Sequence, residues 1–553
     1  MRPLDWVTLV ITLASLVFYG LYRSRGSKSV NDFFLAGRTM PWYAMGLSIM
    51  ATQASAITFI STTGQAYVDG MRFVQFYFGL PIAMVIISAT AVPIFARAKV
   101  YTAYEYLEQR FDAKTRALAS LIFLIQRGLG VGVAIAAPSI VLSLIFGWDD
   151  RVTTLVIGIV IILYTTFGGI LAITWTDVLQ MSIIFCSLIL ALVMVVSMLP
   201  PEISFGSAIR LAGAAGRLNA IDLNFDWNNR YNLWSGLIGG TFLALSYFGT
   251  DQSQVQRYLT GKSIAQSKLS LLFNAFAKVP LQFFILFVGA MVFVFYLFEA
   301  PPPLFQKPSL ERAQTTSAWP ATETRYHQAF TARRQAALAA AKSSDAIPQF
   351  RAAQKQFDAV RADAIKLAEQ AQGGAKYNDT NYIFLSFVTR YLPVGVVGLI
   401  IAIIFAAAMS ASSGEINSLA TVSVIDIYKR HIRPVASDSH YLAVSRAATA
   451  FWGLYAMFFA QYGKNLGSLV EVVNFVGSLF YGSLLGVFAL AFFTKRVTGT
   501  AAFCGMLAGE AAIFSAFSFT NISFLWYNVI GSVVVIVVAL LFPRQTKTVR
   551  ASA

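Results

Sequence analysis

The chain has 553 residues, of which 57% are apolar and only 12% charged. A water-soluble domain carries about a quarter charged residues, so this composition excludes a soluble globule of this length and makes lipid the main solvent. The net charge of +16 does not call for nucleic acid, because Lys and Arg collect in the inner loops of membrane proteins.

The N-terminal stretch Trp6 to Tyr22 lacks a basic leader and a small-residue cleavage site, so it reads as a retained span. Further apolar runs follow at about 42–66, 73–96, 117–146, 152–170, 173–199, 234–250, 271–299, 394–425, 442–462, 467–494, 497–518 and 523–543. A helix needs about 20 apolar residues to cross the hydrocarbon. The pattern predicts an all-α integral membrane protein with about 13 transmembrane helices. An odd count puts the termini on opposite sides. With the N-terminus outside and the C-terminus cytoplasmic, the inner loops hold a large excess of Lys and Arg, among them Arg38, Arg97, Lys99, Arg257, Lys262, Lys429 and Arg430. The expected location is the plasma (inner) membrane, multi-pass.

Residues 300–392 fall outside and are mostly polar. Within them, 325–341 is rich in Ala, Arg and Gln. After a turn at Lys342 to Pro348, Phe350, Ala353, Phe357, Val360, Ala364 and Leu367 recur at helical spacing. This predicts an outward helical hairpin, either a solvated insertion or a dock for an outer-face partner.

Inside the spans, polar atoms mark sites. The second span carries Ser48, Thr52, Gln53, Ser55, Thr58, Ser61, Thr62, Thr63, Gly64 and Gln65. Such density fits a helix interrupted near its middle, which frees carbonyls for a small cation. It equally fits a tight helix–helix contact. The ninth span repeats the theme at Ser410, Ser412, Ser413 and Gly414. Asp177 begins the sixth span, as a cation ligand or a helix-start residue. Arg127 lies about 15 Å into the fourth. Its guanidinium suits a substrate carboxylate; the alternative is a structural partner for Asp177 or for carbonyls. Glu415 and Glu471 read as facing a water-filled vestibule. Cys186, Cys504 and the three histidines have no metal or catalytic spacing, and no nucleophile–base set appears, so an enzyme is not expected.

Five blocks occur in order: Asn31 to Arg38 (NDFFLAGR), Thr102 to Phe111 (TAYEYLEQRF), Phe167-Gly168-Gly169 through Trp175 to Gln180, Asp251 to Leu259 (DQSQVQRYL), and a looser stretch from Gly477 to Phe488. Together they resemble the sodium/solute symporter family of sodium/glucose, sodium/proline, sodium/sialic acid, monocarboxylate and iodide carriers. The resemblance covers most of the chain outside 300–392. It implies a LeuT-type core of two inverted five-helix repeats. The corresponding division is an extra first helix with its inner loop (1–41), a first repeat (42–199), an outer loop with the start of the second repeat (200–299), the insertion (300–392), the rest of the second repeat (393–494) and two peripheral helices with a tail (495–553).

The resemblance also implies sodium as the coupling ion. Its main site would use Ala51, Ala54, Ala407 and Ser410; Ala411 lacks the second hydroxyl of the family pattern. A second site would use Ser413 and Asp177, although Gly414 stands where another serine is found. For the solute, Thr58, Tyr77 and Ala244 replace the Gln, Glu and Asn of sugar carriers. Ser55, Thr58 and Phe73 resemble positions used by sialic-acid carriers, Arg127 their carboxylate-binding arginine, and Tyr247 the inner-gate tyrosine; Asn474 joins this set. The expected partners are a small organic solute, sodium and membrane lipid, with no nucleic acid. The first expectation for the solute is an organic anion, a monocarboxylate or sialic-acid-like sugar acid. The alternatives are a neutral sugar, polyol or amino acid, or a membrane sensor on a transporter fold.

Overall fold

The computed structural model describes residues 2–24, 29–53, 58–461 and 469–543. In chain order the helices are α1 (Pro3–Arg23), α2 (Val30–Leu35), α3 (Trp42–Gln53), α4 (Thr63–Asp69), α5 (Leu80–Ala89), α6 (Ala91–Ala98), α7 (Ala103–Arg110), α8 (Ala113–Phe146), α9 (Asp150–Ser197), α10 (Phe205–Ala214), α11 (Gly240–Gly249), α12 (Gln252–Leu259), α13 (Ile264–Phe298), α14 (Lys307–Gln314), α15 (Trp319–Lys342), α16 (Ile347–Ala371), α17 (Thr380–Tyr391), α18 (Val396–Val422), α19 (Asp438–Ala460), α20 (Leu469–Phe493), α21 (Gly499–Phe519) and α22 (Leu525–Leu541). Among the described residues, each expected apolar run lies on helix. Nine helical stretches there are long and apolar enough to cross a membrane, and Ser235–Gly249 and Leu525–Leu541 are shorter apolar ones.

Caps set the helix starts. Ser29, Asp112, Ser263 and Thr498 accept backbone N–H bonds at the beginnings of α2, α8, α13 and α21, which satisfies amides that the first turn leaves open. The 48-residue α9 is twice the length one crossing needs and hinges at Gly169, where φ is 58° and ψ −170°. Only glycine adopts this conformation readily. A Cβ there would also meet the Phe33 carbonyl oxygen at 2.8 Å.

The chain wraps around α18, which is buried along nearly its whole length. It packs against α1, α8 and α9, while α3 packs against α9 and α13, and α20 rests on α8, α11 and α22. The outward faces of α1, α9, α19 and α22 carry exposed large apolar residues such as Val10, Phe18, Val160, Phe451 and Val537. That is the surface of a protein solvated by lipid.

Between α13 and α17, α15 and α16 pack together and hold their own apolar clusters. The buried Arg333 stacks at 3.5 Å over the Phe357 ring and donates to the Tyr296 carbonyl at 2.7 Å. Arg361 pairs with Asp379 at 2.6 Å. These contacts fasten the two helices to the ends of α13 and α17.

Candidate functional site

Helix α3 is described as far as Gln53, and Thr58–Thr62 form a wide turn before α4. The Thr58 hydroxyl donates to the Gln53 carbonyl at 2.7 Å. The winding therefore changes within this apolar run, at Thr58–Thr62. Ala54 and Ser55 lie outside the described residues.

Beside this wide turn is a cavity with about 930 Å3 of atom-free space, its opening included. Thr52, Gln53 and Thr58 form one wall, Phe76, Tyr77 and Leu80 a second, and Gly240, Ala244, Tyr247 and Phe248 a third. Arg127, Ala411, Glu415, Asn474 and Tyr481 complete the lining. Thr58, Tyr77 and Ala244, the residues that replace the sugar-carrier set, therefore share one cavity. Five predicted solute residues line it: Thr58, Tyr77, Arg127, Tyr247 and Asn474. Phe73 does not; its ring stacks on Phe76 and meets Tyr77 and Tyr231 edge-on, one layer behind.

Next to the cavity, Asp177 of α9 gathers groups from three other helices. The Ser48 hydroxyl of α3 donates to Oδ2 at 2.5 Å. The Ser410 hydroxyl of α18 donates to Oδ1. Arg257 of α12 donates to Oδ2 at 2.8 Å. Ser413 adds a bond from its hydroxyl to the Ser410 carbonyl at 3.1 Å, while the Ser412 hydroxyl is buried without a partner among the described residues. Ala51 and Ala407 are buried on α3 and α18. Sodium is a hard cation that takes oxygen ligands; this cluster offers hydroxyls and a carboxylate, with the Arg257 guanidinium already bonded to Ser48 and Asp177.

Arg257 corrects one expectation. Counted in an inner loop by sequence, it is a fully buried side chain. Gly414 makes room for it: a Cβ at that glycine would stand 2.3 Å from Arg257 Nη2. The serine absent from position 414 is therefore replaced in space by a guanidinium.

Arg127 is similarly committed. It donates to Glu415 at 2.9 Å, pairs with Asp251, donates to the Tyr481 hydroxyl at 2.7 Å, and lies 5.5 Å from the Tyr247 ring. Its partners are thus Asp251 and Glu415 rather than Asp177. Glu415 is in the cavity wall beside it, whereas Glu471 pairs at 2.7 Å with Arg230.

One charged residue escaped the sequence reading. Lys278 of α13 is completely buried, its Nζ has no hydrogen-bond partner among the described residues, and it sits 5.4 Å from the Tyr77 ring. One turn away, Asn274 accepts a bond from Gln53 at 3.4 Å. Lys278 therefore stands just behind two cavity-lining residues. The available signal was a lysine inside an apolar run, which is a functional candidate by default.

Comparison with known proteins adds a second line. The sequence model of the sodium:solute symporter family matches residues 33–307 and 359–509. The chain is 26% identical to a sodium/sialic acid symporter, NanT, of Aliivibrio fischeri, covering 97% of this chain and 92% of that protein. It is 27% identical to human sodium-coupled monocarboxylate transporter 1 over 91% of this chain and 70% of that one. It is 26% identical to the sodium/glucose cotransporter of Vibrio parahaemolyticus over 91% and 83%. In structure it is similar to a substrate-bound, outward-open Na+-coupled sialic acid symporter, with a TM-score of 0.76 and 25% identity over 98% of this chain and 99% of that one.

Proposed function

Because the chain belongs to the sodium:solute symporter family, a multi-pass, sodium-coupled group with a LeuT-type core, we propose that it imports a small organic anion together with sodium by alternating access. The observation that carries the anion reading is Lys278: a buried lysine whose Nζ has no hydrogen-bond partner among the described residues, one layer behind Tyr77 and Gln53 in the cavity wall. A solute carboxylate entering beside Tyr77 would supply the missing counter-charge. A monocarboxylate or a sialic-acid-like sugar acid has that chemistry, and carriers of both kinds are among the relatives.

Sodium binds between α3 and α18, where Ser48 and Ser410 converge on Asp177. Ala411, one residue on, already faces the cavity. Ion and solute thus favour the same arrangement of α3 against α18, and linkage makes that preference reciprocal. The membrane potential adds about 2.3 kcal/mol per charge per 100 mV. Tyr247 closes the inner side, held by a bond from Gln254 at 2.8 Å. The N-terminus faces out and the C-terminus in, at the plasma (inner) membrane. No covalent step is required.

A second reading has its own support. Arg127 is neutralised by Asp251 and Glu415, so its charge is already spent, and the hydroxyls of Thr58, Tyr77 and Tyr247 suit a neutral sugar or polyol. A thermal-shift panel of monocarboxylates, sugar acids, neutral sugars and amino acids, with and without sodium, decides between them. Sodium-dependent stabilisation by an acid, followed by saturable uptake into vesicles, supports the anion reading. Stabilisation by a neutral sugar alone sinks it.

A further inference from the structure

At the end of the bundle opposite the α14–α16 insertion is a second cavity, with about 950 Å3 of atom-free space including its mouth. It lies between α6, α12 and the start of α13, and Arg38, Lys99 and Lys262 line it from three separate segments. None of the three is within ion-pairing distance of a carboxylate among the described residues. The nearby acids are Asp32, whose carboxylate lies beside Gly37, Glu105, whose carboxylate accepts from the Tyr101 amide at 2.7 Å, and Asp438. The lining itself holds three basic residues and no acidic one.

Two further features single this cavity out. Among the described residues only Ala36, Arg38 and Lys99 are non-glycine residues with positive φ, and the latter two both face it, at 55° and 53°. Such backbone costs free energy and persists where surrounding structure fixes it, often at ligand clamps. Independently, Tyr258 lines the cavity, is 1% exposed, and leaves its hydroxyl without a partner among the described residues. Burying an unsatisfied hydroxyl is unfavourable, so a donor waits there for an acceptor.

The surroundings identify the acceptor's source. Along α13 from the cavity run Leu269 and Phe276, 43% and 78% exposed, and the neighbouring α5 exposes Ile82, Val85 and Ile86. Apolar exposed surface on α5 and α13 thus flanks a cavity lined by three basic residues, of which Arg38 also donates to the Val100 carbonyl at 2.9 Å. We propose that this cavity binds the phosphate of an anionic phospholipid headgroup, with Arg38, Lys99 and Lys262 as its cations and Tyr258 as a hydroxyl donor. Basic pockets between membrane helices are suited to such headgroups.

The site has a mechanical consequence. Arg38 precedes α3, Lys99 ends α6, and Lys262 sits in the turn between α12 and α13. Between Arg38 and Lys262 the chain makes its one isolated bridge among the described residues, Met40 with Gly261: the Met40 amide donates to the Thr260 carbonyl at 3.0 Å and the Lys262 amide to Met40 at 3.3 Å. A bound phosphate ties the entrance of α3 to α13 across that bridge.

The test reads binding and needs no transport. Purified protein in neutral detergent is titrated with short-chain phosphatidylglycerol, phosphatidylcholine and inorganic phosphate, following the melting temperature. Phosphatidylglycerol alone stabilises the wild type. The triple variant Arg38→Gln, Lys99→Gln, Lys262→Gln loses apparent affinity roughly a hundredfold, the scale of three basic residues at an anionic surface. Tyr258→Phe weakens it less. An equal charge change at exposed sites on the same end, Arg433→Gln, Lys495→Gln, Arg496→Gln, leaves it intact. Equal stabilisation by inorganic phosphate overturns the lipid assignment, and an equal lipid response in the two triple variants overturns the site.

Discussion

Arg257 Nη1 donates to Asp177 Oδ2 at 2.8 Å across 80 residues of sequence, and both side chains are completely buried. The pair holds α12 against α9 beside the candidate ion cluster. Removing one member of a buried ion pair leaves the other uncompensated, at a cost of about 3–5 kcal/mol. Asp177→Ala is therefore expected to lower the melting temperature as well as sodium response. Ser410→Ala leaves the pair intact and is expected to raise the sodium concentration for half-maximal uptake with little change in melting temperature. Unaltered sodium dependence in Ser410→Ala would remove that hydroxyl from the ion path.

Gly414 is the matching test of space. A Cβ there approaches Arg257 Nη2 to 2.3 Å, and overpacking a core costs about 1–3 kcal/mol. Gly414→Ala is expected to be destabilised by that order and to shift sodium dependence, because the displaced guanidinium sits on the Asp177 carboxylate. A melting curve and a sodium titration identical to wild type would show that Arg257 moves freely.

Lys278 and Arg127 are expected to separate. Lys278→Gln removes the buried amine that a solute carboxylate would pair with, so it weakens anionic solutes at least tenfold more than neutral ones in competition uptake, with little loss of stability. Arg127→Gln strands Asp251 and Glu415 together, so it destabilises the fold by several kcal/mol and weakens all solutes alike. Selective loss of anion affinity in Arg127→Gln instead of Lys278→Gln would reverse the two roles.

Glu108 of α7 offers a pH test outside the spans. Burial alone would raise its pKa, but hydrogen bonds from Arg430 (Nε at 2.8 Å) and Arg116 (2.7 Å) outweigh this and hold the carboxyl below its ordinary range. A depressed folded value gives stabilisation that is complete above the unfolded pKa of about 4.3 and drains away as pH falls through the folded one. The acid side of the melting temperature–pH curve is expected to be shallower in Glu108→Gln than in wild type, with no difference in slope at neutral pH. Parallel acid limbs would deny the linkage.

Arg333→Ala tests the insertion. It removes the stack on Phe357 and the bond to the Tyr296 carbonyl, together worth about 2–3 kcal/mol. Increased protease cleavage within 315–371 with unchanged sodium dependence is expected. A change in sodium dependence would tie these helices to the transport cycle.

Much of the site was legible from particular residues. The hydroxyl-rich stretch from Ser48 to Gln65 contains the wide turn Thr58–Thr62. Thr58, Tyr77, Tyr247 and Asn474 were named and share the cavity wall. Phe73 was one layer off because its ring stacks on Phe76, one turn on, which stands between it and the cavity. The pairings were not legible. Asp177 was a candidate partner for Arg127, yet Arg127 took Asp251 and Glu415, 124 and 288 residues away. Arg257 looked like a loop cation because the run Asp251 to Arg257 is mostly polar and too short to read as a buried helix, although in space it is enclosed by other helices.

The sequence by itself determined that this chain lives in lipid, how its apolar runs alternate, and where a helix loses regularity. Transfer of a segment into hydrocarbon is a local quantity, summed over about 20 neighbours. Only the tertiary structure decided which charge answers which. Inside a low-dielectric core that energy changes by kcal/mol over a few ångströms, and those distances are set by helices far apart along the chain.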